Sequence, residues 1–125
     1  QEIWDRILGT RGGIWGPYAV LMHLPQLAKQ VAGVGEYLRF HGRLSNQDRE
    51  CAILALASSI NSSFEWSIHE PIARDAGLST EALAAIKRLE ESRHLSSSQN
   101  LILKLVKELL QSRSLSDESY KSAIE

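Results

Sequence analysis

Apolar residues recur along the chain at intervals of three and four, and no stretch alternates strictly, so the pattern predicts helices joined by short turns and no strand. In RGGIWGPYAVLMHLPQLAKQ a glycine-rich loop leads to Pro17, which suits a first helical turn because the N–H it lacks would have had no partner there. Pro25 restarts or kinks the helix. From Pro25 to about His41 the residues Leu27, Ala28, Val31, Val34 and Leu38 share one face, with Gly42 placed where a left-handed stop is expected. Ser45 then offers a hydroxyl cap, and Asp48 three residues later makes a weak capping box before CAILALA. Residues Cys51 to Ala57 are apolar nearly all round, which predicts a helix in the middle of the molecule or of an oligomer.

The next helix is predicted from about Ser63 to Ala76, kinked at Pro71 and stopped by Gly77. Ser79 opens TEALAAIKRLEES with Ala82, Leu83, Ile86 and Leu89 inward. The serines at 96 to 98 precede NLILKLVKELLQS, amphipathic through Leu101, Leu105, Val106 and Leu109, and Ser116 starts a last short helix. There is no internal repeat. The fold class is all-α.

The 125 residues, 43% hydrophobic and with a formal net charge of -1, fit one domain over residues 1–125 around one core. The chain opens on Gln1 and closes inside a helical pattern at Ile124 and Glu125, so we expect it to be trimmed at one or both ends. Fourteen basic residues are matched by fifteen acidic ones and scattered among them, which leaves no electrostatic footprint for nucleic acid. Cys51 stands alone, excluding an intramolecular disulfide or a cysteine-cluster metal site and pointing to a reducing, cytoplasmic setting. The apolar runs are too short to cross a bilayer, and no secretion signal opens the chain, so no membrane partner is expected.

Chemistry concentrates in NSSFEWSIHEPIARDAG. Glu65 and His69 are four apart, on one helix face, close enough to share a proton or to hold a substrate between them; a solvated ion pair is the plainer reading. Trp66 offers an apolar wall beside Glu65. Glu50 lies early in the predicted buried helix, where an acid without a partner is costly. It can pair with Arg49 or Arg43, or turn to water in a first turn that favours negative charge. A bundle metal site needs repeated Glu-x-x-His spacings, and Glu65 to His69 has one residue too many with no second copy. Cys51 has apolar neighbours that disfavour a thiolate, and no serine sits on an elbow-type turn. Arg11, Trp15 and His23 form a second polar and aromatic group near the glycines.

The segments WGPYAVLMHLPQLA, LSNQDRECAILALASS and FEWSIHEPIARDAGLS together resemble the carboxymuconolactone decarboxylase family of the alkyl hydroperoxidase D-like superfamily, over roughly residues 14 to 90. The resemblance implies an all-helical bundle assembled as a trimer or hexamer, with active sites near subunit contacts. In the peroxidase branch a helix glutamate, a Cys-x-x-Cys pair and a histidine form a proton relay. Counted back from His69, those cysteines fall on Ser62 and Glu65, and the glutamate on Glu50. Serine and glutamate cannot carry thiol redox chemistry, so a peroxidase role is disfavoured and an acid/base set remains: Glu50, Glu65 and His69.

These residues lead us to expect an enzyme that needs no cofactor or metal and acts on a carboxylated lactone or related unsaturated carbonyl compound by decarboxylation or proton shift. His69 is expected to move the proton with Glu65 as its partner, and Glu50 to tune and orient both. Arg11 and His23 are candidate ligands for a substrate carboxylate, and Trp15 and Trp66 for the apolar wall. The alternative is a non-catalytic helical oligomer that kept the scaffold as a ligand-binding or accessory protein.

Overall fold

The computed structural model describes residues 2–14 and 16–125, the side chains of Thr10 and Arg11 excepted. Eight helices and no strand occur among the described residues: α1 Glu2–Arg11, α2 Pro17–Leu21, α3 Pro25–Phe40, α4 Asn46–Ser59, α5 Ser63–Asp75, α6 Thr80–Arg88, α7 Ser97–Ser112 and α8 Asp117–Ile124. The all-α class is therefore as the apolar spacing predicts. The chain divides into two compact units, Gln1–Arg43 and Leu44–Glu125, and among the described residues two apolar clusters are buried rather than the one expected core.

In the first unit Ile7 of α1 meets Ala28 and Ala32 of α3, with Ile3, Ile14, Tyr18, Leu21 and Met22 packed around them. Two alanines let the helices approach closely, and Arg6 of α1 donates from Nε to Glu36 of α3 at 3.0 Å. Pro17 and Pro25 both occupy the first helical positions that the sequence assigns them. The large residues of α3 face the other way. Leu27, Val31, Val34 and Leu38 are exposed, so the buried stripe is the small-residue one. Gly42 is needed for a reason other than a left-handed stop: it is not among the positive-φ residues, but a Cβ there would lie 2.5 Å from the Leu38 carbonyl oxygen.

The second unit is organised by α4, against which α5, α6 and α7 all pack. Cys51, Leu54 and Ala55 are fully buried with Ala73, Leu83, Ile86 and Leu103. Burying a leucine or isoleucine of this kind contributes about 1.5–3 kcal/mol, and these positions are what hold the helices together. The spine is not covered on every side. Leu56 of α4 and Ile60 at its C-cap face outward, as do Phe64 and Ile68 of α5. On α7 the core face runs through Ile102, Leu103 and Val106, while Leu109 is exposed; that helix has apolar residues on two faces, and periodicity alone does not say which is chosen.

Two corners fix α5. At the first, Asn61 takes a left-handed φ of 54° while its amide donates to the Ser58 carbonyl and the Ser62 amide to that of Ala57, the bonds of a Schellman stop for α4. Ser62 also caps α5 through its hydroxyl, which accepts from the Glu65 amide. At the second, Gly77 (φ 103°) ends α5 with Gly77 donating to Arg74 and Leu78 to Ala73. The helix continues through Pro71. Gln47 of α4 donates to the Ala76 carbonyl at 2.8 Å, and a Cβ on Gly77 would lie 2.7 Å from that donor nitrogen. Gly77→Ala is therefore expected to cost about 1–3 kcal/mol, from backbone strain and a displaced Gln47. A urea midpoint unchanged from the parent would mean that neither strain nor Gln47 matters at this corner.

Candidate active site

Glu50 is on the second turn of α4, facing α5, and His69 lies midway along α5. The α4 to α5 corner brings them together, with Glu50 Oε2 and His69 Nδ1 2.7 Å apart. On the other side of the ring, Glu65 Oε2 is 3.7 Å from His69 Nε2. The imidazole thus sits between two carboxylates that differ in surroundings. Glu50 is 1% exposed, the His69 side chain 18% and the Glu65 side chain 41%, a gradient running from the core to solvent.

The capping geometry accounts for the direction of Glu65. It stands three residues after the N-cap, where a glutamate often reaches back to the cap amide. The Ser62 amide already donates to the Ala57 carbonyl, so the Glu65 carboxylate extends along the helix to His69 instead.

Burial is the largest influence on Glu50 and pushes its carboxyl pKa up. The hydrogen bond and charge of His69, followed by the charge and hydrogen bond of Arg49, together outweigh burial and hold it below the ordinary 4.5. Arg49 Nε lies 3.4 Å from Glu50 Oε1, so both carboxylate oxygens are engaged. Of the destinations that the sequence leaves open to Glu50, Arg49, Arg43 or water, the structure shows Arg49, and His69 is a further partner. An ionised Glu50 has no hydrogen to donate, which assigns the hydrogen of that contact to Nδ1 of His69. The lone pair of the neutral ring is then on Nε2, the end nearer solvent and Glu65.

A carboxylate with a lowered folded pKa contributes stability that is fully present above its unfolded value, 4.5, and is lost as pH falls through the folded one. Stability is accordingly expected to fall on acidification below about 4.5, with the Glu50→Gln variant showing a shallower acid limb. Denaturant titrations at stepped pH measure this, and equal acid limbs in the two chains would count against an ionised Glu50. Glu70 adds to the same window, because Arg74 and then the Trp66 N–H hold its carboxyl low.

Trp66 packs against the core cluster and donates its indole N–H at 2.8 Å to Glu70, and Lys87 Nζ lies 4.0 Å above its ring. The carboxylate at the indole nitrogen is thus Glu70 rather than Glu65. His23 is exposed between α2 and α3, in the first unit. The Arg11 side chain and Trp15 lie outside the described residues. Cys51 is buried, and burial, with a smaller contribution from Asp48, pushes its thiol up to about 12. Ser62, where the first cysteine of the peroxidase motif would fall, is the residue at the corner between α4 and α5. Its signal in the sequence is Ser-x-x-Glu, the ordinary start of a capped helix. An open groove of about 420 Å³ along α7, lined by Leu89, Leu103, Lys104 and Lys107 among others, contains none of these groups. No cluster of three or more metal-ligating side chains that could hold an ion occurs among the described residues.

Fold and site define an all-helical protein with a buried carboxylate, an imidazole and an outer carboxylate in a row. The chain belongs to the carboxymuconolactone decarboxylase family, whose model matches residues 25–108. No curated protein and no solved structure matches it. No helix of the described residues is long and apolar enough to cross a membrane.

Proposed function

We propose that the protein is a cofactor-independent acid/base enzyme that acts on a carboxylated lactone or a related unsaturated carbonyl compound, by decarboxylation or proton shift. The observation that carries this reading is the His69 ring held at Nδ1 by buried Glu50 and approached at Nε2 by half-exposed Glu65. Family membership supports the substrate class.

In the proton shift, Nε2 takes a proton from carbon next to the carbonyl. The imidazolium so formed is flanked by two carboxylates, exchanges its proton with water through Glu65, and delivers a solvent-derived proton to another carbon of the conjugated system. In the decarboxylation, the bond from ring carbon to carboxylate breaks and its electron pair moves into the conjugated carbonyl to give an enolate. Carbon dioxide leaves, and Nε2–H of protonated His69 delivers its proton to carbon. In this reading Glu65 relays the replacement proton from water. Trp66, on α5 with Glu65 and His69, is the candidate for the apolar wall.

We also assign the chain to a homo-oligomer, trimeric or hexameric, in the cytoplasm. Exposed Leu56, Ile60, Phe64 and Ile68 support assembly, because four large apolar side chains on α4, its C-cap and α5 are of the kind that association covers. Reaction of a carboxylated, ring-unsaturated lactone in deuterated water tests the chemistry. We expect one carbon dioxide released and one deuterium on carbon per product, or deuterium alone for a proton shift. Inertness across a panel of such lactones and their open-chain carbonyl analogues would defeat the assignment. The accessory reading draws on the serine and glutamate at the motif cysteine positions. It would be favoured by a His69 resonance that titrates like free imidazole and is unmoved by Glu65→Gln.

A further inference from the structure

Arg49 lies beside the dyad with only 15% of its side chain exposed, and its Nε reaches the Glu50 oxygen that His69 does not use. We propose that Arg49 is a positioning residue: it anchors the second oxygen of Glu50, keeps that group a carboxylate, and so fixes His69 with hydrogen on Nδ1 and its lone pair on Nε2. This rests on the reading of Nε2 as the atom that moves the proton, but it makes a claim about Glu50 that can be measured without any substrate.

Electrostatics and geometry both assign Arg49 this role. A carboxylate that is 1% exposed is not held ionised by water, and burial alone favours its neutral form. The charged groups acting on it are His69 from α5 and Arg49 from α4 itself, with Glu65 beyond the ring; among the described residues α6 and α7 supply none. His69 is not sufficient alone. Each time it gives up its proton during a catalytic cycle it becomes neutral, and at that moment Glu50 would be left buried with no cation beside it. Arginine remains charged through the whole cycle, which a second histidine or a lysine in a dry site would not guarantee. The guanidinium therefore supplies the constant part of the field, and the imidazole the part that changes.

Neighbouring positions on one helix ordinarily diverge by about a quarter turn or more. Here the first residue of the Arg49–Glu50 pair bends its Nε back to the second, a contact that i and i+1 side chains seldom make. The role is distinct from that of Glu70, whose partners Arg74 and Trp66 lie on α5 and whose contacts do not include the dyad.

The test uses the full chain labelled with carbon-13 at glutamate carboxyls and nitrogen-15 in histidine and arginine. In the parent, the Arg49 Nε resonance should follow the same pH midpoint as the Glu50 carboxyl carbon, and independent midpoints would overturn the proposal without any variant being needed. Arg49→Gln should raise the Glu50 midpoint by about one pH unit, the lower end of what a charge at this distance does, while circular dichroism stays unchanged. Arg49→Lys, whose ammonium is charged in the acidic range where Glu50 titrates, should reverse at least half of that shift. A Glu50 midpoint unmoved in the glutamine variant, or moved equally by lysine, overturns the role. If Glu50 shifts as expected while His69→Gln leaves turnover intact, the proposed enzyme function fails and the positioning role of Arg49 stands.

Discussion

Replacing His69 with glutamine is expected to lower turnover by about 10²–10⁴-fold, the range a well-placed general base contributes, while helicity and melting temperature stay close to the parent. Glutamine is the informative choice because of what lies beneath the ring. His69 donates to a carboxylate that is 1% exposed, and alanine would remove that donor and leave Glu50 with Arg49 alone. Breaking a buried pair on one side costs about 2–4 kcal/mol when a second cation remains, somewhat less than when none does. His69→Ala should thus lose activity and stability together, a result that a merely structural histidine would also give. Glutamine keeps an N–H donor and loses the ability to exchange a proton. Steady-state turnover beside a thermal melt separates the two, and a glutamine variant with parental turnover would remove His69 from the chemistry.

Leu54→Ala should have the largest effect on stability. Leu54 is fully buried in α4, the helix against which α5, α6 and α7 all pack. Truncation removes apolar burial and leaves a cavity that three helices border, and substitutions of this type cost about 2–5 kcal/mol. For a unit of this size that corresponds to a fall in melting temperature of roughly 10 °C or more. Leu56→Ala, two residues along the same helix but exposed, should change the melt of the dissociated chain by no more than about 2 °C. Equal losses at the two positions would mean that α4 is not the helix on which the second unit is built. If the proposed homo-oligomer forms, Leu56→Ala is expected to show its effect instead in the sedimentation profile.

Much of this architecture is legible in the sequence because the helices announce their own starts. Ser45, Ser79, Ser96 and Ser116 all cap helices, and each hydroxyl accepts from the amide three residues on. The full reciprocal box, however, forms at Ser96 with Gln99 rather than at Ser45 with Asp48. Pairing of Glu65 with His69 follows from their spacing. Helix α1 carries no comparable signal: it is short and contains Gly9, and its burial depends on one residue, Ile7, meeting alanines some twenty positions away. The outward turn of the large α3 side chains has a similar origin, because periodicity defines a stripe but not which of two adjacent stripes a partner helix takes. In the site, Glu50 is located by its place in the family motif and by the cost of burying it. Its simultaneous hold on Arg49 and His69 depends on where α5 returns along α4, which is set by a corner and not by any local pattern.

That corner has a consequence for engineering. Ser62 donates its amide to finish one helix and accepts with its hydroxyl to begin the next. Installing a dithiol at positions 62 and 65, to graft redox chemistry onto this scaffold, would substitute sulfur, a poor acceptor, at the joint that sets the angle of the imidazole. The graft would have to be accompanied by a new cap, or its thiols would arrive on a helix that no longer points them anywhere in particular.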